Sequence, residues 1–311
     1  MQTGPLFESG EVRYPFEQLT LRYIGAYIAN GDNRALPMSE AVRRTATLTN
    51  ASAMNLRTSP FLRRAASGAA LVALTLAAPS VFAADLVVSA AASLTNAFKQ
   101  LGEQFERAHP DTKVVLNFGA SDVLMQQIVK GAPADVFASA DQDAMNKAET
   151  EKVVQAATRK DFAANAIVLI VPHDSKLGIA SPKDLTRADV KRIAYGNPSS
   201  VPVGRYTKGA LEAQGLWDAV AAKGVPAQNV RQALDYVARG EVDAGFVFAT
   251  DATVMPDKVT VATRVPTTTP VTYPIAVTAQ TKQAQQANAF VQYVLSAEGQ
   301  ATLAKYGFQK P

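Results

Sequence analysis

The chain has 311 residues and no cysteine, which excludes disulfides, thiolate metal sites and a thiol nucleophile. Its two histidines, His109 and His173, exclude a histidine-rich metal site. The net charge is +4, but residues 1–83 hold eight arginines against five acidic residues, and the remainder holds 23 basic and 22 acidic residues. The charge after residue 83 is therefore balanced, which argues against a nucleic-acid-binding surface.

The segment 54–83 has the layout of a secretory signal peptide. Arginines precede an apolar stretch over 65–78, which is too short to span a membrane, and small residues suit cleavage after Ala83. Because no cysteine could carry a lipid anchor at that junction, the sequence predicts a product free in the periplasm. Residues 1–53 lie upstream of the signal, so we interpret Met54 as the true start and 1–53 as a mis-called or disordered segment.

From Ala84 onward, strand-like runs alternate with apolar residues at helical spacing. The predicted strands lie at 86–88, 114–118, 135–138, 166–171, 193–195, 244–249 and 271–277. The predicted helices follow the first three strands and lie near 205–215, 230–239 and 283–305. This order predicts an α/β fold in which parallel sheets are flanked by helices.

The two β/α sets are not separated by a Pro- or Ser-rich linker. This continuity indicates two lobes between which the chain crosses more than once, rather than two domains in series. We place lobe 1 at 84–164 and 273–311, and lobe 2 at 165–272.

Common catalytic motifs are absent from the sequence, including G-x-S-x-G, H-E-x-x-H and the Gly-rich phosphate loops. Asp141 and Asp143 lie close together, and we interpret them as a solvated helix start, where acidic residues are favoured. The sequence therefore predicts a binding protein rather than an enzyme.

Four predicted helix starts have little side-chain bulk or a free backbone N–H, at Ser93, Ser121, Val203 and Val230. Each alone fits an ordinary helix start, and Ser93 alone fits an N-cap. Together, the unpaired N–H groups and the helix dipoles could bind an anion without any Lys or Arg. In a doubly wound sheet these helix starts lie at the carboxyl edge, where ligands bind.

Several stretches carry a family resemblance, and they occur in order: SAAASLTNAF (89–98), NFGASDVLMQQI (117–128), GAPADVFASADQDAM (131–145), YGNPSSVPVGRYTKGAL (195–211), NVRQAL (229–234), GFVFATDA (245–252), YPIAV (273–277) and KYGF (305–308). On the basis of these stretches, the chain resembles the periplasmic molybdate-binding proteins of ABC transporters. The resemblance implies a two-lobed periplasmic binding protein, each lobe a central, mostly parallel sheet flanked by helices. It also implies a monomer without a cofactor that delivers molybdate or tungstate to a membrane permease.

The resemblance assigns the molybdate contacts residue by residue. They fall on Ser93 and Ser121 from lobe 1, and on Val203 and Val230 from lobe 2. A further contact in the family, a tyrosine hydroxyl, corresponds to Phe248 in this chain. Because Phe248 has no hydroxyl, that hydrogen bond is either missing or supplied elsewhere.

Three alternatives remain open from the sequence. The ligand could be another tetrahedral oxyanion, such as sulfate, thiosulfate or phosphate. Only anion size separates sulfate from molybdate, whereas hydrogen phosphate carries a proton that needs an acceptor. A two-lobed fold can also host catalysis. The third alternative, an effector-sensing module fused to a DNA-binding domain, conflicts with the predicted export signal.

Overall fold

The computed structural model describes residues 84–311; the predicted signal peptide and the segment before it lie outside the described residues. The strands in this range are β1 (Ala84–Ala91), β2 (Thr112–Gly119), β3 (Val136–Ala138), β4 (Lys160–Asn165), β5 (Ile167–Pro172), β6 (Ile193–Gly196), β7 (Gly224–Ala227), β8 (Ala244–Phe248), β9 (Val259–Val265) and β10 (Val271–Val277). The α-helices are α1 (Thr95–Ala108), α2 (Ser121–Val129), α3 (Gln142–Thr150), α4 (Pro202–Glu212), α5 (Trp217–Ala221), α6 (Val230–Ala238), α7 (Ala249–Ala252), α8 (Ala284–Leu295) and α9 (Ala297–Lys305).

The described strands form two five-stranded sheets. The first sheet has the order β2-β1-β3-β10-β4, and the second has the order β7-β6-β8-β5-β9. The chain passes from the first sheet to the second between Asn165 and Ile167, and it returns between Val265 and Val271.

The predicted α/β class is confirmed, but both sheets are mixed. In the first, β1 pairs in parallel with β2 and β3, whereas β10 runs antiparallel to β3 and β4. In the second, β6 is parallel to β7 and β8, whereas β5 is antiparallel to β8 and β9. The parallel pairs are joined through helices. The strands that enter directly from the other sheet are free of that constraint and run in the opposite direction.

The core explains why the first strand and helix form where they do. Leu86 and Val88 share one face of β1 and are fully buried, as expected for an interior strand that pairs with β2 and β3. Phe98, Leu101 and Phe105 share one face of α1 at a spacing of three and four residues, and all are fully buried. Burial of each such side chain contributes about 1.5–3 kcal/mol. This packing fixes the connection between β1 and α1, which contains Ser93.

None of the helices between residues 84 and 311 has the length and apolarity that crossing a membrane requires.

Candidate functional site

A small cavity lies at the carboxyl ends of strands from both sheets. Ligands bind at this end of doubly wound sheets. The five residues that the sequence singles out all line this cavity: Ser93, Ser121, Val203, Val230 and Phe248. The other lining residues are Ala91, Ala92, Gly119, Ala120, Ala140, Val201, Pro202 and Asn229. The structure therefore brings together residues that lie up to 155 positions apart in the chain, as Ser93 and Phe248 do.

Ser93 lies in the 3-10 turn Ala92–Leu94 that connects β1 to α1. Its hydroxyl does not cap either helix, since neither helix start has a side-chain capping bond. The hydroxyl oxygen instead lies 3.1 Å from the hydroxyl of Tyr273, and both groups are buried. The N-cap interpretation of Ser93 is therefore wrong, and the hydroxyl is held at the wall of the cavity.

Ser121 is the first residue of α2 and follows the end of β2. Its hydroxyl oxygen accepts a hydrogen bond from the backbone N–H of Ala140 at 3.0 Å. Within residues 84–311 the hydroxyl hydrogen of Ser121 has no protein acceptor, although the residue is fully buried. That hydrogen is available to a ligand in the cavity.

Val203 is the second residue of α4, directly after Pro202. The helix begins against the end of β6 because Gly204 has no side chain: a Cβ there would lie 1.9 Å from the carbonyl oxygen of Gly196. This close approach brings the first turn of α4 to the cavity. N–H groups in a first helical turn have no partner in their own helix.

Val230 begins α6, and Asn229 precedes it as the N-cap. The side-chain oxygen of Asn229 accepts from the backbone N–H of Gln232 at 3.0 Å. Asn229 lines the cavity, and the cap occupies its amide oxygen while it leaves the N–H of Val230 unused. Both Val203 and Val230 are buried, with apolar side chains.

Phe248 is the last residue of β8 and brings an aromatic ring, but no hydroxyl, to the cavity. The ring lies 5.6 Å, centre to centre, from the ring of Tyr273 on β10. Tyr273 does not line the cavity, and its hydroxyl contacts Ser93 instead. The sequence analysis does not single out Tyr273, whose only signal is its position in the YPIAV stretch.

A cluster of charges beside the cavity joins the two sheets. Arg205 on α4 contacts Asp122 at 2.6 Å and Asp141 at 2.5 Å. The interpretation of Asp141 as a solvated residue is wrong: it is 3% exposed and caps α3 by accepting from the N–H of Ala144. Burial raises the pKa of Asp141 above its ordinary value, and the charge of Arg205 opposes that shift.

A second arginine crosses on the opposite side of the cavity. Arg231 on α6 contacts Asp251 at 2.6 Å, the side-chain oxygen of Asn96 at 2.8 Å and the carbonyl oxygen of Ser93 at 3.3 Å. Burial raises the pKa of Asp251 to about 6, against the opposing charge of Arg231. Arg231 therefore ties the start of α6 to the turn that holds Ser93.

These ion pairs leave a neutral cavity. Within residues 84–311, no residue that lines the cavity carries a charge. A wider groove is lined by Arg205 together with Asp141, Asp143 and Asp161, and these three carboxylates would repel an anion. The small cavity combines two serine hydroxyls with the N–H ends of helices, which is an arrangement suited to a compact anion.

The comparison with protein families gives a match over most of the described residues. Residues 86–309 match the family described as bacterial extracellular solute-binding protein. This match covers the two sheets and all the residues that line the cavity.

Individual relatives agree with the family match. The chain is 37% identical over 228 residues to the molybdate-binding protein ModA of Escherichia coli (strain K12), an alignment that covers 72% of this chain and 88% of that protein. The solved structure of the Azotobacter vinelandii periplasmic molybdate-binding protein superposes with a TM-score of 0.65 at 26% identity, covering 73% of this chain and 99% of the other. The sulfate-binding protein SubI of Mycobacterium tuberculosis H37Rv has a TM-score of 0.64 at 17% identity, covering 73% and 87%, and shows similarity of fold alone.

Proposed function

This chain belongs to the bacterial extracellular solute-binding proteins, and from that premise we propose that it captures molybdate, or tungstate, in the periplasm. We further propose that it delivers the anion to the membrane permease of an ABC transporter. Its role is binding without catalysis and without a cofactor, and it acts as a monomer. The relatives named as molybdate-binding proteins support this choice of ligand.

The observation that carries the proposal is the neutral cavity with hydrogen-bond donors on both sides. Ser93 and Ser121 supply hydroxyl groups, and Val203 and Val230 lie in first helical turns with unpaired N–H groups. The helix starts add roughly half a positive charge each, which favours an anion without a cationic side chain. Molybdate offers only acceptor oxygens, so every donor finds a partner.

The same donors disfavour a protonated anion. The amide oxygen of Asn229 is occupied by its helix cap, and Asp122 and Asp251 are held in ion pairs outside the cavity. Hydrogen phosphate would bury an O–H group without an acceptor, which costs ~1–3 kcal/mol, or roughly a tenfold to hundredfold loss of affinity.

Binding is proposed to close two lobes on the ligand, with lobe 1 at 84–164 and 273–311 and lobe 2 at 165–272. Neither half of the cavity holds all the donors, so the anion binds best when both halves face it. The closed form is then the one that the permease recognises.

Calorimetric titration of the purified protein with molybdate, tungstate, sulfate and hydrogen phosphate tests this function. We expect molybdate and tungstate to saturate a single site, with hydrogen phosphate at least about tenfold weaker because of its unpaired proton. Tighter binding of sulfate than of molybdate would assign the protein to the sulfate alternative. Absence of binding by all four anions would contradict the proposal.

A further inference from the structure

The hydroxyl of Tyr273 belongs to a short hydrogen-bonded chain that ends at the cavity. Tyr273 is fully buried on β10, and its oxygen lies 3.1 Å from the hydroxyl oxygen of Ser93. The same tyrosine oxygen lies 3.2 Å from the side-chain nitrogen of Asn165. Distance alone does not say which hydroxyl donates, but the neighbours of Asn165 do.

The orientation of the Asn165 amide is fixed by two other contacts. Its oxygen accepts from the backbone N–H of Ala166 at 2.9 Å, and its nitrogen donates to the hydroxyl oxygen of Thr250 at 2.8 Å. The second N–H of the amide therefore points at Tyr273 as a donor. The oxygen of Tyr273 accepts this bond, which leaves the tyrosine hydrogen to be donated elsewhere.

The hydrogen of Tyr273 has one acceptor among the described residues, the hydroxyl oxygen of Ser93. Burial raises the pKa of Tyr273 well above its ordinary value, so the phenol keeps this hydrogen at neutral pH. If Ser93 donated instead, a buried phenol hydrogen would have no partner, and such a group is costly. The chain of bonds thus runs from Asn165 to Tyr273 to Ser93.

Ser93 then resembles Ser121 in its hydrogen bonding. Each hydroxyl oxygen accepts from a protein donor, the phenol of Tyr273 in one case and the backbone N–H of Ala140 in the other. Each hydroxyl hydrogen is left without a protein acceptor within residues 84–311 and lies at the cavity wall. Two separate parts of the fold therefore orient the two serine hydroxyls alike: each oxygen accepts from the protein, and each hydrogen is left for the cavity.

We infer that Tyr273 is a positioning residue of the anion site, which donates its hydrogen to Ser93 and so directs the Ser93 hydrogen toward the ligand. This inference rests on the proposed function, and it adds a determinant of selectivity: Tyr273 and Asn165 act through Ser93 to favour anions that carry no proton. Although a tyrosine hydroxyl is missing at Phe248, Tyr273 contributes one indirectly.

The test is a double-mutant cycle between Tyr273→Phe and Ser93→Ala, read by calorimetry with molybdate. Removal of the phenol hydroxyl keeps the ring, and we expect about tenfold weaker binding, the size of one hydrogen bond to a charged ligand. In the Ser93→Ala background, Tyr273→Phe should change the affinity by less than about twofold, since its effect passes through Ser93. The ratio of molybdate to hydrogen phosphate affinity should also fall in Tyr273→Phe, because an unoccupied Ser93 oxygen can accept from a protonated anion.

Two further variants keep the outcome decisive. Tyr293→Phe removes a phenol hydroxyl that contacts Gln104 at 3.3 Å, far from the cavity lining, and should leave the affinity unchanged. Asn165→Ala leaves the phenol in place but removes the donor that orients it, so it should weaken molybdate binding only when Ser93 is present. If Tyr273→Phe does not fold, Asn165→Ala provides the test of the Tyr273 role in its place.

The inference and the proposed function fail in different ways. If the wild-type protein binds molybdate and the losses in Tyr273→Phe and Ser93→Ala simply add, the positioning role of Tyr273 is wrong and the function stands. Unchanged affinity in Tyr273→Phe leads to the same conclusion. If the wild-type protein binds no tetrahedral anion, the function itself is wrong.

Discussion

The two sides of the cavity offer an anion different kinds of donor. The side built on the first sheet presents the hydroxyls of Ser93 and Ser121, whereas the side built on the second presents first helical turns among the apolar side chains of Val203, Val230 and Phe248. Hydroxyl donors depend on individual side chains. Backbone donors depend on where a helix begins, so the second side should respond to changes in helix placement and tolerate changes in side chains.

The two arginines next to the cavity are distributed differently from the hydroxyl donors. Arg205 and Arg231 both belong to helices of the second sheet, and both reach residues beside the first sheet without lining the cavity. Charge therefore serves to hold the two sides together, while neutral donors are left to hold the ligand. The following predictions test this division, from the largest expected effect to the smallest.

Gly204→Ala should cause the largest loss of molybdate affinity. The added Cβ would lie 1.9 Å from the carbonyl oxygen of Gly196, so the first turn of α4 must move away from β6. In this turn Gly204 and Arg205 donate to the carbonyl oxygen of Val201, so Val203 supplies the N–H that is left for a ligand. We expect up to about a hundredfold weaker binding, because the loss of this bond to a charged ligand costs up to ~3 kcal/mol. Calorimetry on a variant that circular dichroism shows to be folded measures this loss.

Gly209→Ala is the matched control, since it lies in the same helix and its Cβ would meet only Thr268 at an ordinary distance of 3.6 Å. Its affinity should equal that of the wild type. Equal affinities in Gly204→Ala and Gly209→Ala would show that the start of α4 does not hold the ligand.

Arg205→Met should weaken binding although Arg205 does not touch the cavity. Removal of one partner from a buried ion pair costs ~3–5 kcal/mol. The carboxylates of Asp122 and Asp141 are 8% and 4% exposed, but Asp122 keeps a contact with Lys147. If these contacts stabilise the closed arrangement, the competent fraction of the protein falls and molybdate affinity drops about tenfold to a hundredfold.

Arg187→Met provides the comparison for Arg205, because it removes an arginine from an exposed pair with Asp189. Such surface pairs contribute at most ~1 kcal/mol, and no change in affinity is expected. An Arg205→Met variant that keeps wild-type affinity would refute the idea that the charges hold the two sides together.

The sequence predicts the central strands and the edge strand β2, but it misses the other three edge strands, β4, β7 and β9. β5 and β8 are buried on both faces and appear as apolar runs, whereas β4, β7 and β9 lie at sheet edges. β4 contains Lys160 and Asp161, and β7 is only four residues long and contains Pro226. Edge strands need no apolar residues on both faces and tolerate proline, so their hydrophobic pattern is weak.

For the site, the sequence predicts residues with a local signal but not the contacts between distant residues. Helix starts and small residues point to Ser93, Ser121, Val203 and Val230, since these features are local in the chain. The Tyr273 contact with Ser93 joins residues 180 positions apart, and the Arg205 contact with Asp141 spans 64. Because such pairs depend on how the chain crosses between sheets, no local pattern predicts them.

Ser93→Ala and Ser121→Ala should each weaken molybdate binding by ~1–2 kcal/mol, or roughly fivefold to thirtyfold, as expected for one lost bond to a charged ligand. The exposed Ser199 offers a matched control, and Ser199→Ala should leave the affinity unchanged. Val203→Ala, on the other side of the cavity, should also have little effect, because it keeps the backbone N–H. Unchanged affinity in the Ser93→Ala, Ser121→Ala double variant would contradict the assignment of the serines.

Phe248→Tyr should have the smallest effect and is the one change expected to strengthen binding. It would place a hydroxyl on the side of the cavity that otherwise offers only backbone donors, next to the ring of Tyr206, whose centre lies 6.4 Å away. A new hydrogen bond to the anion should contribute ~1 kcal/mol, a gain of roughly fivefold, less the cost of fitting one more atom into a small cavity lined by buried side chains. Calorimetry with molybdate measures the change, and a loss of affinity instead would mean that the ring packs against Tyr273 too tightly for the hydroxyl to reach the ligand. In that case the first-sheet hydroxyls alone supply the side-chain donors, and the difference between the two sides of the cavity is set by packing as well as by residue type.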